Sequence, residues 1–218
     1  MSSRAGVAGS AGSSTSTTPA AACVLTPEVT EGPFYLNLDD VRSDITEGKD
    51  GVPLDLKVTV VNANGCGPVQ NAAVDVWHCD AGGVYSGFDQ AGTGGGPGGG
   101  AQAPTDSATF LRGTQMTDAI GLAEFHTIYP GWYRGRAVHI HMKVHERGSV
   151  VHTGQLFFDD GLTDRVYANA PYSRRGKPDT RNSADDIYRS AGAASAVLKM
   201  TPNGGGYTGA ITVGVKSA

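Results

Sequence analysis

Tyr129-Pro130-Gly131-Trp132-Tyr133-Arg134-Gly135-Arg136-Ala137-Val138-His139-Ile140-His141-Met142-Lys143-Val144 is a Pro- and Gly-rich turn running into an alternating strand. In a strand, side chains alternate faces and each residue advances about 3.3 Å. His139 and His141 therefore share a face, with Cα atoms roughly 6.6 Å apart, which lets two imidazoles converge on one metal ion. Val138, Ile140 and Met142 take the opposite face, which is expected to be apolar core. A His-x-His pair alone is commonly a solvated or hydrogen-bonded pair, so the other donors decide.

The chain has six histidines and three cysteines, at Cys23, Cys66 and Cys79. No Cys-x-x-Cys pair is present to build a thiolate zinc site, and no His-Glu-x-x-His motif of a zinc protease occurs. Tyrosines do stand in turns, Tyr85 within Gly82-Gly83-Val84-Tyr85-Ser86-Gly87 and Tyr133 within Pro130-Gly131-Trp132-Tyr133. Phenolate is a hard, anionic oxygen ligand. By extension of the softness rules, two phenolates with two imidazoles suit trivalent iron better than zinc or copper.

Length and composition bound the rest. The 218 residues are enough for one domain with a sizeable core. A net charge of −4 and the absence of a Lys/Arg run argue against nucleic acid as a partner. No apolar run approaches the roughly 20 residues that span a bilayer, so no membrane partner is expected. The 32 glycines favour a turn-rich β protein over a helical bundle.

Residues 1–22 are Ser, Thr, Ala and Gly with almost no large apolar side chains, which reads as a disordered tail ahead of a single domain over 23–218. The segment lacks the apolar core of a signal peptide, and reads equally as a spacer left behind a removed one. Leu54–Val61 alternates as a strand, and Ala72–His78, after the turn-rich Asn62–Asn71, reads as its hairpin partner. Thr109–Met116 and Leu122–Ile128 read as a second hairpin around Asp118–Gly121. The His-x-His strand, Gly154–Phe158 and Ala210–Lys216 follow. Leu162–Ala168 and Ser183–Arg189 read as short helices, the second capped by Ser183. Gly92–Gly100 is a flexible loop that no core requires. The pattern is all-β: a β-sandwich with long functional loops and a few short helices.

Several ordered blocks then carry a resemblance. They are Thr26–Tyr35, Val74–Ser86, Phe110–Gly113, Thr127–Tyr133, Arg136–His141 and Gly154–Phe158. In this order they resemble the intradiol ring-cleaving dioxygenases, non-haem iron(III) enzymes that split catechols with O2 between the two hydroxyl-bearing carbons to give cis,cis-muconate-type diacids. The resemblance implies Fe(III) as cofactor, with Tyr85, Tyr133, His139 and His141 as its ligands. Tyr133 matches the labile axial tyrosinate that leaves the metal when the diol binds. Arg136 and Gln155 match a pair beside the substrate ring, Arg136 stabilising charge that builds there, and Pro33 and Phe34 match a segment lining the pocket.

Two departures stand out. Only five residues separate Tyr133 from His139, where well-known relatives insert a longer loop, so a more open pocket is expected. The helical N-terminal region through which catechol-cleaving relatives dimerise is missing, so family dimerisation is not assumed and the oligomeric state stays open, with a monomer among the readings. The chain is similar to the smaller, secreted members of the family, so an extracellular location is expected, with the cytoplasm as the alternative.

Competing readings stay open on residues alone. One is a non-catalytic secreted β-sandwich that binds a metal, a carbohydrate or another protein. Another is a zinc hydrolase using His139, His141 and Asp80. Arg136 could simply pair with Asp159 or Asp160, while His78, His126, His145 and His152 read as structural or surface residues and Tyr129 as packing. If Leu54–Val61 and Ala72–His78 form a hairpin, Cys66 and Cys79 lie some 20 Å apart, too far for a disulfide. Cys79 is then a buried thiol and Cys23 the expected partner of Cys66, which suits a secreted protein; three reduced thiols in a cytosolic protein are the alternative.

Overall fold

A computed structural model describes residues 24–88 and 102–217. The tail through Cys23 and the glycine-rich stretch Gly92–Gly100 lie outside the described residues. Eight strands form two four-stranded sheets: β1 (Pro53–Asn62), β2 (Ala73–Trp77), β3 (Arg112–Met116), β4 (Leu122–Ile128), β5 (His139–Glu146), β6 (Ser149–Phe157), β7 (Lys199–Asn203) and β8 (Gly206–Val215). One sheet has the order β4-β1-β8-β7 and the other β3-β2-β5-β6. The sandwich is the architecture expected from the alternation.

Its core lies between the two inner faces. Leu54, Leu56, Val58 and Val60 of β1 meet Val74 and Val76 of β2 and Ile140, Met142 and Val144 of β5, all within 1% of complete burial. Burying such side chains contributes about 1.5–3 kcal/mol each. A one-residue slip of β5 would put His139 and His141 into this layer instead, so the apolar set holds the register of the polar one.

Both expected hairpins are corrected by the strand pairing. β1 pairs with β4 (antiparallel) and β8 (parallel), while β2 pairs with β3 and β5, so the chain crosses between sheets after β1 and again after β3. Turn chemistry reports that the chain reverses, not whether it returns in its own sheet or the facing one. The Asp118–Gly121 turn is a corner of this kind: Gly121 has φ +78, and a Cβ there would stand 2.4 Å from the Val60 carbonyl oxygen.

Other boundaries shift for local reasons. β7 is an additional strand; its Pro202 is tolerated because β7 lies at a sheet edge. The first helix, α1 (Asp160–Tyr167), is capped by Asp159, whose side chain accepts from the Leu162 amide. The second, α2 (Asp186–Ser190), is capped by Asp185 rather than Ser183, which lies in a preceding 3-10 turn. Cys66 is disulfide-bonded, and Cys79 is a buried free thiol donating to the Gly131 carbonyl at 3.3 Å. With β1 and β2 in different sheets, the hairpin distance between Cys66 and Cys79 no longer applies.

A candidate metal centre on an outer sheet face

The outer face of the β3-β2-β5-β6 sheet carries His139, His141, Lys143 and His145 from β5. In register, Trp77 of β2 and Gln155 of β6 flank His141 on its two sides. Trp77 stacks on the His141 imidazole, with centroids 5.0 Å apart and planes 9° from parallel. A second apolar cluster forms over this face from Phe34, Trp77, Cys79, Tyr85, Phe88 and Tyr133. The site therefore lies in a small core of its own, outside the sandwich core.

Two loops bring the tyrosines in. Asp80 organises the first: its Oδ1 accepts from the amides of Gly82 (2.9 Å) and Val84 (3.0 Å), and its own amide donates to Val84 O. The loops then press on each other. A Cβ on Gly83 (φ +84) would stand 2.2 Å from the Trp132 carbonyl oxygen. Gly83→Ala is expected to cost at least about 1 kcal/mol through left-handed strain and this clash. The measurement is the urea midpoint, and an unchanged midpoint would show that the contact between the loops is dispensable. Arg112, 3% exposed, secures the first loop to the Phe34 segment by donating to Ser86 Oγ, Ser86 O and Phe34 O.

Four polar atoms converge. His139 Nδ1 donates to Ala137 O at 2.7 Å, which turns the lone pair of Nε2 outward. Around that Nε2 lie His141 Nε2 at 3.0 Å, the Tyr133 hydroxyl at 3.1 Å and the Tyr85 hydroxyl at 3.5 Å. Burial drives both imidazoles well below their ordinary pKa, with the Arg136 charge adding to the effect. Burial also raises both phenols, Tyr85 strongly and Tyr133 to about 12, with Arg136 opposing the rise at Tyr133. Neutral imidazoles suit ligation, and phenols this buried ionise readily only beside a cation.

The donor set fits a hard trivalent ion. Among the described residues His141 Nδ1 is buried without a hydrogen-bond partner, so no bond at Nδ1 draws that ring away from the point where its Nε2 meets His139 Nε2. Among the described residues no three His, Cys, Asp or Glu side chains are grouped to hold a metal. That removes the zinc site built on His139, His141 and Asp80, whose carboxylate instead takes the Gly82 and Val84 amides and the Lys49 ammonium at 3.0 Å.

Beside the donors, Arg136 Nη2 donates to Gln155 Oε1 at 2.5 Å, Nε to Asp185 Oδ2 at 2.9 Å, and Nη1 lies 3.4 Å from the Tyr133 hydroxyl. Gln155 Nε2 donates to Thr30 O at 3.0 Å. The arginine's carboxylate is thus Asp185, not Asp159 or Asp160. Phe34 is buried, its ring centroid 4.7 Å from that of Tyr85 and 6.3 Å from that of Tyr133. Pro33 is half-buried, in a segment laid against His141: a Cβ on the adjacent Gly32 would stand 3.0 Å from His141 Cε1. The Arg136 side chain is 16% exposed, while Tyr133 is 6% and Tyr85, His139, His141 and Gln155 at most 2% exposed, so solvent reaches the site from the Arg136 side.

The remaining histidines are structural or exposed. His78 bonds Cys79 O and Thr127 Oγ1 and is held near pKa 4 by burial; His126 and His145 pair with Asp55 and Asp75. His152 is buried, and among the described residues neither of its ring nitrogens has a hydrogen-bond partner. Tyr129 packs on Phe158, and its hydroxyl meets Thr163 Oγ1 at 2.7 Å. Sequence reasoning missed Trp77, Arg112 and Asp185 as parts of the site; each depends on strand register or on a long-range contact with no local signature.

The family model described as "Dioxygenase" matches residues 30–185. Catechol 1,2-dioxygenase 1 of Acinetobacter lwoffii is 35% identical over 113 residues, 50% of this chain and 32% of that protein. The match thus spans about a third of the length of that curated relative. An intradiol ring-cleavage dioxygenase of Tetranychus urticae superposes with a TM-score of 0.82 at 33% identity, covering 88% of this chain and 94% of that one. The dioxygenase domain of a dioxygenase–carbohydrate-binding protein fusion from Streptomyces sp. SirexAA-E has a TM-score of 0.64 at 28% identity, covering 89% and 99%.

Proposed function

The chain belongs to the family of intradiol ring-cleaving dioxygenases, and on that premise we propose that it cleaves a catechol-type aromatic diol with O2 between the hydroxyl-bearing carbons. The product is a cis,cis-muconate-type diacid. The observation that carries this reading is the convergence of Tyr85, Tyr133, His139 and His141, with the Arg136–Gln155 pair at its edge. These four side chains would hold ferric iron. Bound there, it would supply the Lewis acidity that binds both diol oxygens and the redox centre that lets dioxygen react with the ring.

The chain's own residues handle protons, charge and water. A diol must shed two protons to bind as a dianion. Burial raises the Tyr133 phenol to about 12, so as a phenolate its oxygen would accept a proton at neutral pH. Tyr133 is therefore a base held ready at the site. Arg136 sets a permanent positive charge beside the same oxygen, where it stabilises negative charge on the diol ring. Phe34 and the Trp77-stacked His141 keep the floor of the site dry.

A secreted location forms part of the proposal, supported by the disulfide at Cys66, a feature of oxidising compartments. A panel of substituted catechols, read by oxygen uptake with products assigned as intradiol or extradiol, tests the function. Extradiol products, or no uptake by iron-replete protein with any diol, would overturn it. Tyr133→Phe is expected to keep most of its iron, to shift the visible absorption, and to lower kcat by roughly 10²-fold through loss of the base. An unchanged spectrum would place Tyr133 outside the metal's ligand set.

A further inference from the structure

Asp185 is 2% exposed, and both of its carboxylate oxygens are fully engaged. Oδ1 accepts from the amides of Ile187 at 2.8 Å and Tyr188 at 3.2 Å, which caps α2. Oδ2 turns the other way, accepting from Arg136 Nε at 2.9 Å and from the Ala137 amide at 2.8 Å. A cap needs only the first of these oxygens: Asp159 caps α1 with a bond to one amide. The second is committed to the turn that leads into β5.

That turn joins the two functions of the site. Ala137 gives its amide hydrogen to Asp185, and its carbonyl accepts the Nδ1 hydrogen of His139 at 2.7 Å. The guanidinium of the preceding residue is held on one edge by Asp185 and on another by Gln155, which leaves Nη1 facing the Tyr133 hydroxyl. A planar fork fixed at two edges has no rotation left.

We propose that Asp185 is a positioning residue that sets the Arg136 guanidinium and the His139 imidazole in one fixed arrangement. It touches neither substrate nor metal and acts through those two side chains. The inference rests on the proposed function for its consequence in turnover, and on hydrogen bonding alone for its structural part. Removing the carboxylate frees the arginine to swing about its contact with Gln155 and releases the peptide that orients His139. Misplacement of such groups is felt mainly in the chemical step rather than in binding.

Asp185→Ser provides the test, because serine keeps the helix cap and loses the second oxygen. In the iron-loaded protein, kcat is expected to fall about tenfold to thirtyfold, with KM within about threefold and iron content unchanged. In an Arg136→Ala background the same substitution should cost no more than about threefold, since most of its effect passes through the arginine. In the metal-free protein, NMR hydrogen exchange of Arg136 Nε–H and the Ala137 amide should accelerate at least about tenfold, while the α2 amides of Ile187 and Tyr188 stay protected. Asp185→Ala, lacking cap and bridge alike, should lose protection at both places. Exchange at Arg136 and Ala137 unchanged in Asp185→Ser, or a kcat within about twofold of wild type, overturns the proposal. If the wild-type chain turns over no diol, the proposed function falls while the exchange measurement still decides the role of Asp185.

Discussion

His139→Ala is expected to leave a protein that holds little iron and has no visible colour, where the parent, on the proposed function, is expected to be red and to carry about one ferric ion per chain. The expectation follows from where His139 stands among the donors. Its Nε2 lies within 3.0–3.5 Å of all three other donor atoms, so it is the shared neighbour of the set. Truncation removes one neutral nitrogen ligand and leaves Tyr85 and Tyr133 as buried phenols whose ionisation burial already opposes. Without enough positive charge at the centre, those phenols keep their protons, and two further ligands are weakened with the first. Turnover should fall by more than about 10³-fold, beyond the loss from any single hydrogen-bond donor. Metal analysis and the visible spectrum check the result, and the circular dichroism spectrum confirms that the sandwich persists, since Ile140 and Met142 continue to hold β5 from its other face. A red, iron-replete His139→Ala protein would remove His139 from the ligand set. A colourless parent with stoichiometric zinc would overturn the ferric centre altogether.

The parts of this site differ in how far the sequence alone reveals them, and the difference follows the range of the interactions. That His139 and His141 share a face opposite Ile140 and Met142 is a consequence of the two-residue period of a strand, and needs no knowledge of any neighbour. The sandwich class follows in the same way from alternation in β1 and β2. Which strand lies beside which does not: the turns after β1 and β3 have the residues of a hairpin, yet both carry the chain to the facing sheet. Trp77 becomes a partner of His141 only through the register of β2 against β5. Asp185 sits 46 positions beyond His139, in a short capping turn that by itself announces only a helix start. Tyr85 and Tyr133 stand between these cases. Their glycine-rich turns mark them as exposed to a site, but the contact of Gly83 with the Trp132 carbonyl, which brings the two loops together, is tertiary.

Arg136→Ala separates ligation from charge stabilisation. The guanidinium is no part of the donor set: its bonds run to Gln155, Asp185 and the hydroxyl of Tyr133. All four donors remain in the variant, so iron content and colour should stay close to those of the parent. What disappears is a permanent positive charge beside the oxygen of Tyr133, at the least buried edge of the site, where negative charge on the diol ring needs a counterpart. Loss of one such preorganised group costs about 10²–10³ in kcat. The substitution also leaves Asp185 buried with only its three backbone donors, so some loss of stability is expected as well. Rates are therefore compared per bound iron, well below the unfolding temperature of the variant. Arg136→Lys refines the result, because the ammonium keeps the charge and loses the fork that spans Asp185 and Gln155. It should recover part of the lost rate while its KM stays near that of the alanine variant. Near-normal turnover in Arg136→Ala would reduce the residue to the ion pair with Asp185 and leave the centre without its charge stabiliser.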